Sequence, residues 1–212
     1  CMMTAEIPGK QVAVQLVGPD QLRLNESKPV PRPGPFQVLA RVEAVGLCFS
    51  DLKLLKQFHQ HVRKSEVISG IPADVLREIP SYVPGDKPTV PGHEVVCTIL
   101  EVGGKVTDYK PGERYLIQPD FRPWKTAGSN SALGYNFEGA LQQYLLLDIR
   151  VLQEPTGDRY LLPVRSNLGS SQVALSEPWA CVEDSYVTCE RQAILAGGRL
   201  LVVAEAGHAI KG

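Results

Sequence analysis

A mainly β fold with some α, a barrel or a sandwich, is what this sequence predicts. Short apolar runs recur along the 212 residues, several of them alternating at period two. Gly- and Pro-rich turns separate them, as in chains of many short strands. Helical patterning is brief until about Ser170 and then takes over. A chain of this length is one large domain or one and a half.

Residues 11–17 partly alternate, Gly18-Pro19-Asp20 turns the chain, and Gln21-Leu22-Arg23-Leu24 returns it. That is a β-hairpin signal. Residues 28–35 hold four prolines and one glycine and read as a loop. Val38, Ala40, Val42 and Ala44 share one face at period two, so 36–45 reads as a half-buried strand. Gly46 breaks it. Ser50 or Asp51 then caps a short helix holding Leu52, Leu54 and Leu55, which puts Cys48 in a strand-to-helix turn. Residues 57–89 are polar and irregular, with a short helix that has Pro72 at its first position. His59 and His61 lie here. A pair at i, i+2 can bind metal, but solvated surface histidines are the ordinary reading.

A strand is expected over 95–102, a loop over 105–112, and another strand from Glu113 to Gln118. Residues 119–137 are rich in Pro, Gly, Ser, Asn and aromatics and read as a surface loop. Residues 139–147 alternate weakly and read as a strand. Residues 172–176 and 179–189 look helical. Between them Pro178 pushes Glu177 out of the α region, so Glu177 is expected at a helix break where a carboxylate can point into a cleft. Residues 200–203 read as a buried strand.

Apolar residues make up 43% of the chain and charged ones 21%, the balance of a globular protein that dissolves in water. The net charge is −1 and no basic stripe occurs, which argues against nucleic acid and anionic membranes as partners. No apolar run reaches the ~18 residues of a membrane span. The opening Cys1-Met2-Met3-Thr4-Ala5-Glu6 lacks a signal peptide's charged start and apolar middle, so a cytoplasmic protein is expected. Five cysteines without a C-x-x-C pair do not suggest a disulfide framework. Cys97 sits in an apolar run, and Cys181 and Cys189 in a helical pattern. All three read as buried thiols.

Three stretches carry chemistry. They are Gly46-Leu47-Cys48-Phe49-Ser50-Asp51, Val90-Pro91-Gly92-His93-Glu94-Val95-Val96 and Leu175-Ser176-Glu177-Pro178-Trp179-Ala180. Cys, His and Glu are zinc-ligand types, and three from distant points plus an open position is the pattern of a catalytic site. Cys48, His93 and Glu177 are therefore expected to converge on one Zn²⁺, with Glu94 as a fourth or alternating ligand. Singly, each has an ordinary reading: Cys48 a small core residue, His93 a structural histidine, Glu94 a surface charge. Glu177 alone would be a carboxylate favoured at a helix start, and Ser50 and Asp51 would be caps. Joint occurrence is what favours a site.

Together with Leu100-Glu101-Val102-Gly103-Gly104-Lys105-Val106, Lys110-Pro111-Gly112-Glu113-Arg114 and Phe137-Glu138-Gly139-Ala140-Leu141-Gln142-Gln143-Tyr144, these stretches keep a familiar order. From about residue 10 to the end, the chain resembles the zinc-dependent medium-chain dehydrogenases, the alcohol and polyol group. The resemblance implies a GroES-like β-barrel catalytic domain over 1–189. Over 190–212 it implies only the start, the first strand, of a Rossmann-type nucleotide-binding domain. It implies one catalytic Zn²⁺ on Cys48, His93 and Glu177, with Glu94 able to enter. Ser50 then matches the hydroxyl that passes the substrate proton, and Asp51 the carboxylate that orients the histidine. The activity implied is hydride transfer between a small alcohol or polyol and NAD or NADP.

Three departures matter. Residues 115–137 contain no cysteine, so the second, structural zinc of many relatives is not expected. The segment between Ser50 and Gly92 is longer than usual. Residues 204–212 lack the G-x-G-x-x-G turn that holds a dinucleotide, so the chain looks like a catalytic-domain fragment, inactive by itself. Its last strand would fray or pair with another chain, giving a homo-oligomer. The rival reading is a non-catalytic GroES-like binding or scaffold module.

Overall fold

The computed structural model describes residues 6–165, 167–188, 197, 199 and 207. The strand expected at 200–203, and Cys1 and Cys189, lie outside these residues. The chain divides into two compact units, Cys1–Pro178 and Trp179–Gly212.

The first unit is built on three sheets. Strands β1 (Lys10–Gly18) and β2 (Gln21–Pro29) form the expected hairpin. The second sheet joins β3 (Gln37–Gly46), β5 (Glu94–Val102), β6 (Arg114–Ile117), β9 (Tyr144–Asp148) and β10 (Leu161–Pro163) in the antiparallel order β10-β6-β5-β3-β9. The third joins β4 (Val67–Ser69), β7 (Asp120–Thr126) and β8 (Asn130–Ala132). Main-chain bonds from Val14 to Leu141 (2.8 Å) and between Leu16 and Thr89 (2.8 and 3.0 Å) tie the hairpin to the rest, and Ala13 and Leu16, on its opposite faces, are both buried. In β3 the residues Val38, Leu39 and Ala40 are all fully buried, because this end of the strand is paired on both sides and covered on both faces. Only its second half shows the half-buried pattern that the alternation suggested.

Residues 119–137 are not a surface loop. They form β7 and β8, and Phe121, Trp124, Leu133, Tyr135 and Phe137 are buried. Phe121 packs edge-on against Phe137 (centroids 5.6 Å apart) and Tyr160 (5.3 Å). The Trp124 indole N–H donates to the Val151 carbonyl at 2.9 Å. The Pro, Gly, Ser and Asn of this stretch mark tight turns between two short strands, while its aromatics supply the core.

Five α-helices complete the described structure: α1 (Phe49–Gln57), α2 (Ala73–Arg77), α3 (Ile149–Leu152), α4 (Ser170–Ala174) and α5 (Ser176–Thr188). Pro72 is the N-cap of α2 rather than its first residue. Helix α4 buries Val173 and Ala174 against Val96, next to Leu116 and Val164. No residue of α5 is buried, and Cys181 is exposed rather than a core thiol. Helical spacing identified the element but says nothing of what its apolar face meets. Cys97, by contrast, is fully buried, and burial pushes its thiol up to about 12. No helix among the described residues is long and apolar enough to cross a membrane.

The irregular stretch 57–89 is fastened by Lys64, whose side chain is fully buried. Its ammonium donates to the carbonyls of Val83 and Lys87, the latter at 2.9 Å. Burial, with the charge of Lys87 adding to it, lowers its pKa to about 7. An unfolded lysine titrates near ~10.4, so between these values the unfolded chain holds the extra proton. Lys64 therefore costs stability below about pH 7, and that cost fades as the pH rises. Urea midpoints of the parent relative to Lys64→Met should rise from pH 7 to 9, by no more than about 1.4 kcal/mol per pH unit. A difference that stays flat with pH would show that Lys64 keeps an ordinary pKa.

Candidate metal centre

The site is assembled where β3 and β5 end side by side. Gly46, the last residue of β3, pairs with Glu94, the first of β5. The chain leaves β3, turns at Leu47 and enters α1 with Cys48 as N-cap. His93 comes just before β5. The ligand atoms of Cys48, His93 and Glu94 consequently lie within 4.8 Å of one another. Gly46 is part of this arrangement: a Cβ there would stand 1.9 Å from Glu94 Oε2. Only glycine leaves room for the carboxylate to turn towards Cys48.

The helix cap differs from the expected one. Neither Ser50 nor Asp51 is the N-cap. Asp51 lies in the first turn and reaches back, accepting the Cys48 N–H at 2.9 Å. Its other oxygen accepts the Gly92 N–H at 3.3 Å and stands 3.3 Å from His93 Nδ1. One carboxylate thus ties together the start of α1, the Pro-Gly turn and the imidazole. Burial opposes its charge, but the contacts with His93, Cys48 and Gly92 outweigh burial and hold the Asp51 pKa below the usual range. For His93, burial works against protonation, yet the Asp51 carboxylate, and after it Cys48, raise the imidazole to about 9. His93 Nε2 lies 3.3 Å from Ser50 Oγ.

These residues fit a zinc ion. A thiol, an imidazole and a carboxylate form a mixed S, N, O donor set of three, which leaves a tetrahedral ion one open position. His93 Nδ1 is buried beside Asp51 with no aligned hydrogen bond of its own. That carboxylate is the outer partner a ligating imidazole needs, and it leaves Nε2 on the side of Cys48 and Ser50.

Glu177 is placed differently. The helical path breaks at Leu175, and Glu177 lies inside the first turn of α5, half-buried. It does not belong to the group formed by Cys48, His93 and Glu94. Pro178 does not exclude Glu177 from the helix: Pro178 itself is tolerated in the first turn, where its missing N–H costs no intrahelical bond, and the preference it imposes on Glu177 is overridden there. His59 is exposed. His61 is half-buried, accepts the Arg63 N–H at 3.2 Å and packs against Tyr135 with centroids 4.9 Å apart. Burial, then the charges of Arg63 and Lys53, lower its pKa. Tyr135, 5.7 Å from the His93 ring, had no sequence signal beyond the aromatic content of its segment.

The turn that carries His93 rests on a backbone stack. Gly139 N–H donates to Val90 (2.6 Å), Ala140 to Gly92 (2.9 Å) and Leu141 to Pro91 (3.0 Å). A Cβ on Gly139 would stand 2.3 Å from the Gly92 oxygen, 2.7 Å from Gly134 Cα and 2.8 Å from the Pro91 oxygen.

Comparison with known proteins agrees with this architecture. Residues 34–154 match the alcohol dehydrogenase GroES-like domain. The chain is 38% identical to sorbitol dehydrogenase of Gallus gallus over 111 residues, covering 52% of this chain and 25% of that protein. It is also 38% identical over 102 residues to sorbitol dehydrogenase of Sus scrofa, covering 48% of this chain and 84% of that sequence. The chain spans about a quarter of the length of the first curated relatives it matches. Among solved structures, 2R,3R-butanediol dehydrogenase from Bacillus subtilis shares the fold with a TM-score of 0.58 at 22% identity, over 80% of this chain and 44% of that one. The family match takes in more than half of the chain, including the turns that carry Cys48 and His93. This protein therefore belongs to the medium-chain dehydrogenase/reductase family, and its barrel is the GroES-like domain of that family.

Proposed function

We propose that the barrel holds one catalytic Zn²⁺ on Cys48, His93 and Glu94, and that the whole enzyme oxidises a small alcohol or polyol with NAD or NADP. The observation that carries this reading is the approach of the three ligand atoms to within 4.8 Å. Glu94 takes the third position that the sequence suggested for Glu177. Residues 1–189 are read as the catalytic domain and 190–212 as the start of the nucleotide-binding one.

A bound zinc ion would supply Lewis acidity, stabilising negative charge on an alcohol oxygen. The rest falls to the chain's own residues. Asp51 fixes the ring of His93 from behind. The hydroxyl of Ser50, two residues past Cys48 and 3.3 Å from His93 Nε2, stands where it can accept the substrate proton and pass one outward. The hydride must reach a nicotinamide placed over the carbon, a task for the nucleotide-binding domain. The 212-residue chain by itself is expected to bind metal without turning over alcohol.

Metal analysis of the purified protein tests the reading. It should give close to one zinc per chain, and His93→Ala should lose it. Zero stoichiometry, with folding unchanged in chelator, would sink the proposal.

A further inference from the structure

Two groups of the proposed centre, the His93 imidazole and the Ser50 hydroxyl, share a neighbour that neither motif contains. Tyr135 follows β8 and is 3% exposed. Its carbonyl accepts the Thr89 hydroxyl at 2.9 Å, which fixes the backbone beneath the ring. The ring lies 5.7 Å from that of His93, the planes at 40°. It also touches His61, with centroids 4.9 Å apart, and the Arg63 guanidinium stands 6.0 Å from its centroid. Its phenol oxygen lies close enough to the Ser50 hydroxyl to take a hydrogen bond from it.

Ser50 Oγ is therefore bonded to His93 Nε2 and has Tyr135 within reach as a second partner. They are not equivalent once a metal is bound. An Nε2 lone pair given to an ion can no longer accept from a hydroxyl. Ser50 must then turn to another partner, and Tyr135 is the one at hand. A serine without one would spread over its three staggered rotamers, or would keep bonding Nε2 and compete with the ion. The ring has a separate effect. It packs beside the imidazole that Asp51 reaches, limiting the swing of His93 about its own side-chain bonds.

We infer that Tyr135 is a positioning residue of this centre: its ring seats His93 and its hydroxyl draws Ser50 away from Nε2, so that the imidazole is free to ligate. The inference rests on the zinc reading above. It needs no contact between Tyr135 and substrate.

Cobalt(II), whose visible spectrum shows when a thiolate joins it, is the probe. The full 212-residue chain would be titrated as the parent, Tyr135→Leu, Tyr135→Phe, Ser50→Ala and the Tyr135→Phe/Ser50→Ala double variant. Tyr135→Leu, which loses ring and hydroxyl, should weaken cobalt binding by about tenfold or more, as disturbing a ligand's outer partner does. Tyr135→Phe keeps the ring and the packing. It should weaken binding by about three- to tenfold, the worth of one competing hydrogen bond. In the Ser50→Ala background the same change to Phe should have no effect, since no hydroxyl remains to compete. A purely structural role would give the same loss in both backgrounds, and that result would overturn the inference. Parent-like binding by both Tyr135 variants would overturn it too, while leaving the zinc reading intact. If the parent takes up no cobalt, the zinc reading falls and the inference falls with it. Should Tyr135→Leu fail to fold, the cycle between Tyr135→Phe and Ser50→Ala still decides the matter.

Discussion

Gly139→Ala should destabilise the barrel by about 3–5 kcal/mol, at the upper end of what one methyl group does. The reason is what the new Cβ would meet. The Gly92 oxygen at 2.3 Å, Gly134 Cα at 2.7 Å and the Pro91 oxygen at 2.8 Å are all main chain, so no side chain can swing away. Relief requires the turn at residues 91–93 to lift off residues 139–141, breaking the bonds at 2.6, 2.9 and 3.0 Å that hold it. Because His93 belongs to that turn, the loss should extend to metal binding. Urea unfolding of parent and variant at one pH measures the effect. Gly104→Ala is the control, since a Cβ there meets nothing within 4 Å, and it should stay within about 0.5 kcal/mol of the parent. A Gly139→Ala chain as stable as the control would mean that the stack is looser than the geometry says.

Gly46→Ala should do the opposite: little to the fold, much to the ion. Its Cβ would stand 1.9 Å from Glu94 Oε2, the far end of a flexible side chain, and 3.0 Å from Glu94 Cβ, a tight contact that a shift of a few tenths of an ångström relieves. The carboxylate can rotate out of the way, but only by leaving Cys48 and His93. Zinc affinity, read by competition with a chelating dye, should fall about 10- to 100-fold. Glu94→Gln should behave similarly, and the two changes together should cost no more than the larger one alone. Undiminished affinity in Gly46→Ala would remove Glu94 from the ligand set.

The sequence made the strands and the two main motifs legible, because both are written locally. Val38 to Ala44 alternate, Gly46 ends the strand, and His93 follows a Pro-Gly turn. Cys48 and His93 could be paired only by residue type and by the order of motifs shared with the dehydrogenases; what brings them together is that each motif stands at the end of a strand and the two strands are neighbours. Glu94 and Glu177 could not be ranked from sequence. Which carboxylate approaches the thiol depends on the cross-strand partner of Gly46 and on where α5 starts, and neither is a local property. Tyr135 was hidden for a similar reason. Turn-forming residues dominate 119–137, and composition cannot tell a solvated loop from tight turns that deliver aromatics to a core. The exposed Cys181 is the converse case, a helix read correctly whose environment its spacing does not encode.

The pairing of Gly46 with Glu94 also bears on how the chain finds its fold. Cys48 and His93 meet only when β3 and β5 are aligned in this one register, which already contains two irregular steps, between Leu39 and Ala40 and between Val42 and Ala44. A slip by a single residue would turn the side chains of one strand to the wrong face and part the thiol from the imidazole. An ion that binds the aligned state and not the slipped one favours it by mass action, by about 2.7 kcal/mol at a hundred times its dissociation constant. Metal supply during synthesis would then proofread strand alignment. Chains refolded in chelator should carry a misaligned fraction that later addition of zinc rescues only as fast as the two strands can unpair.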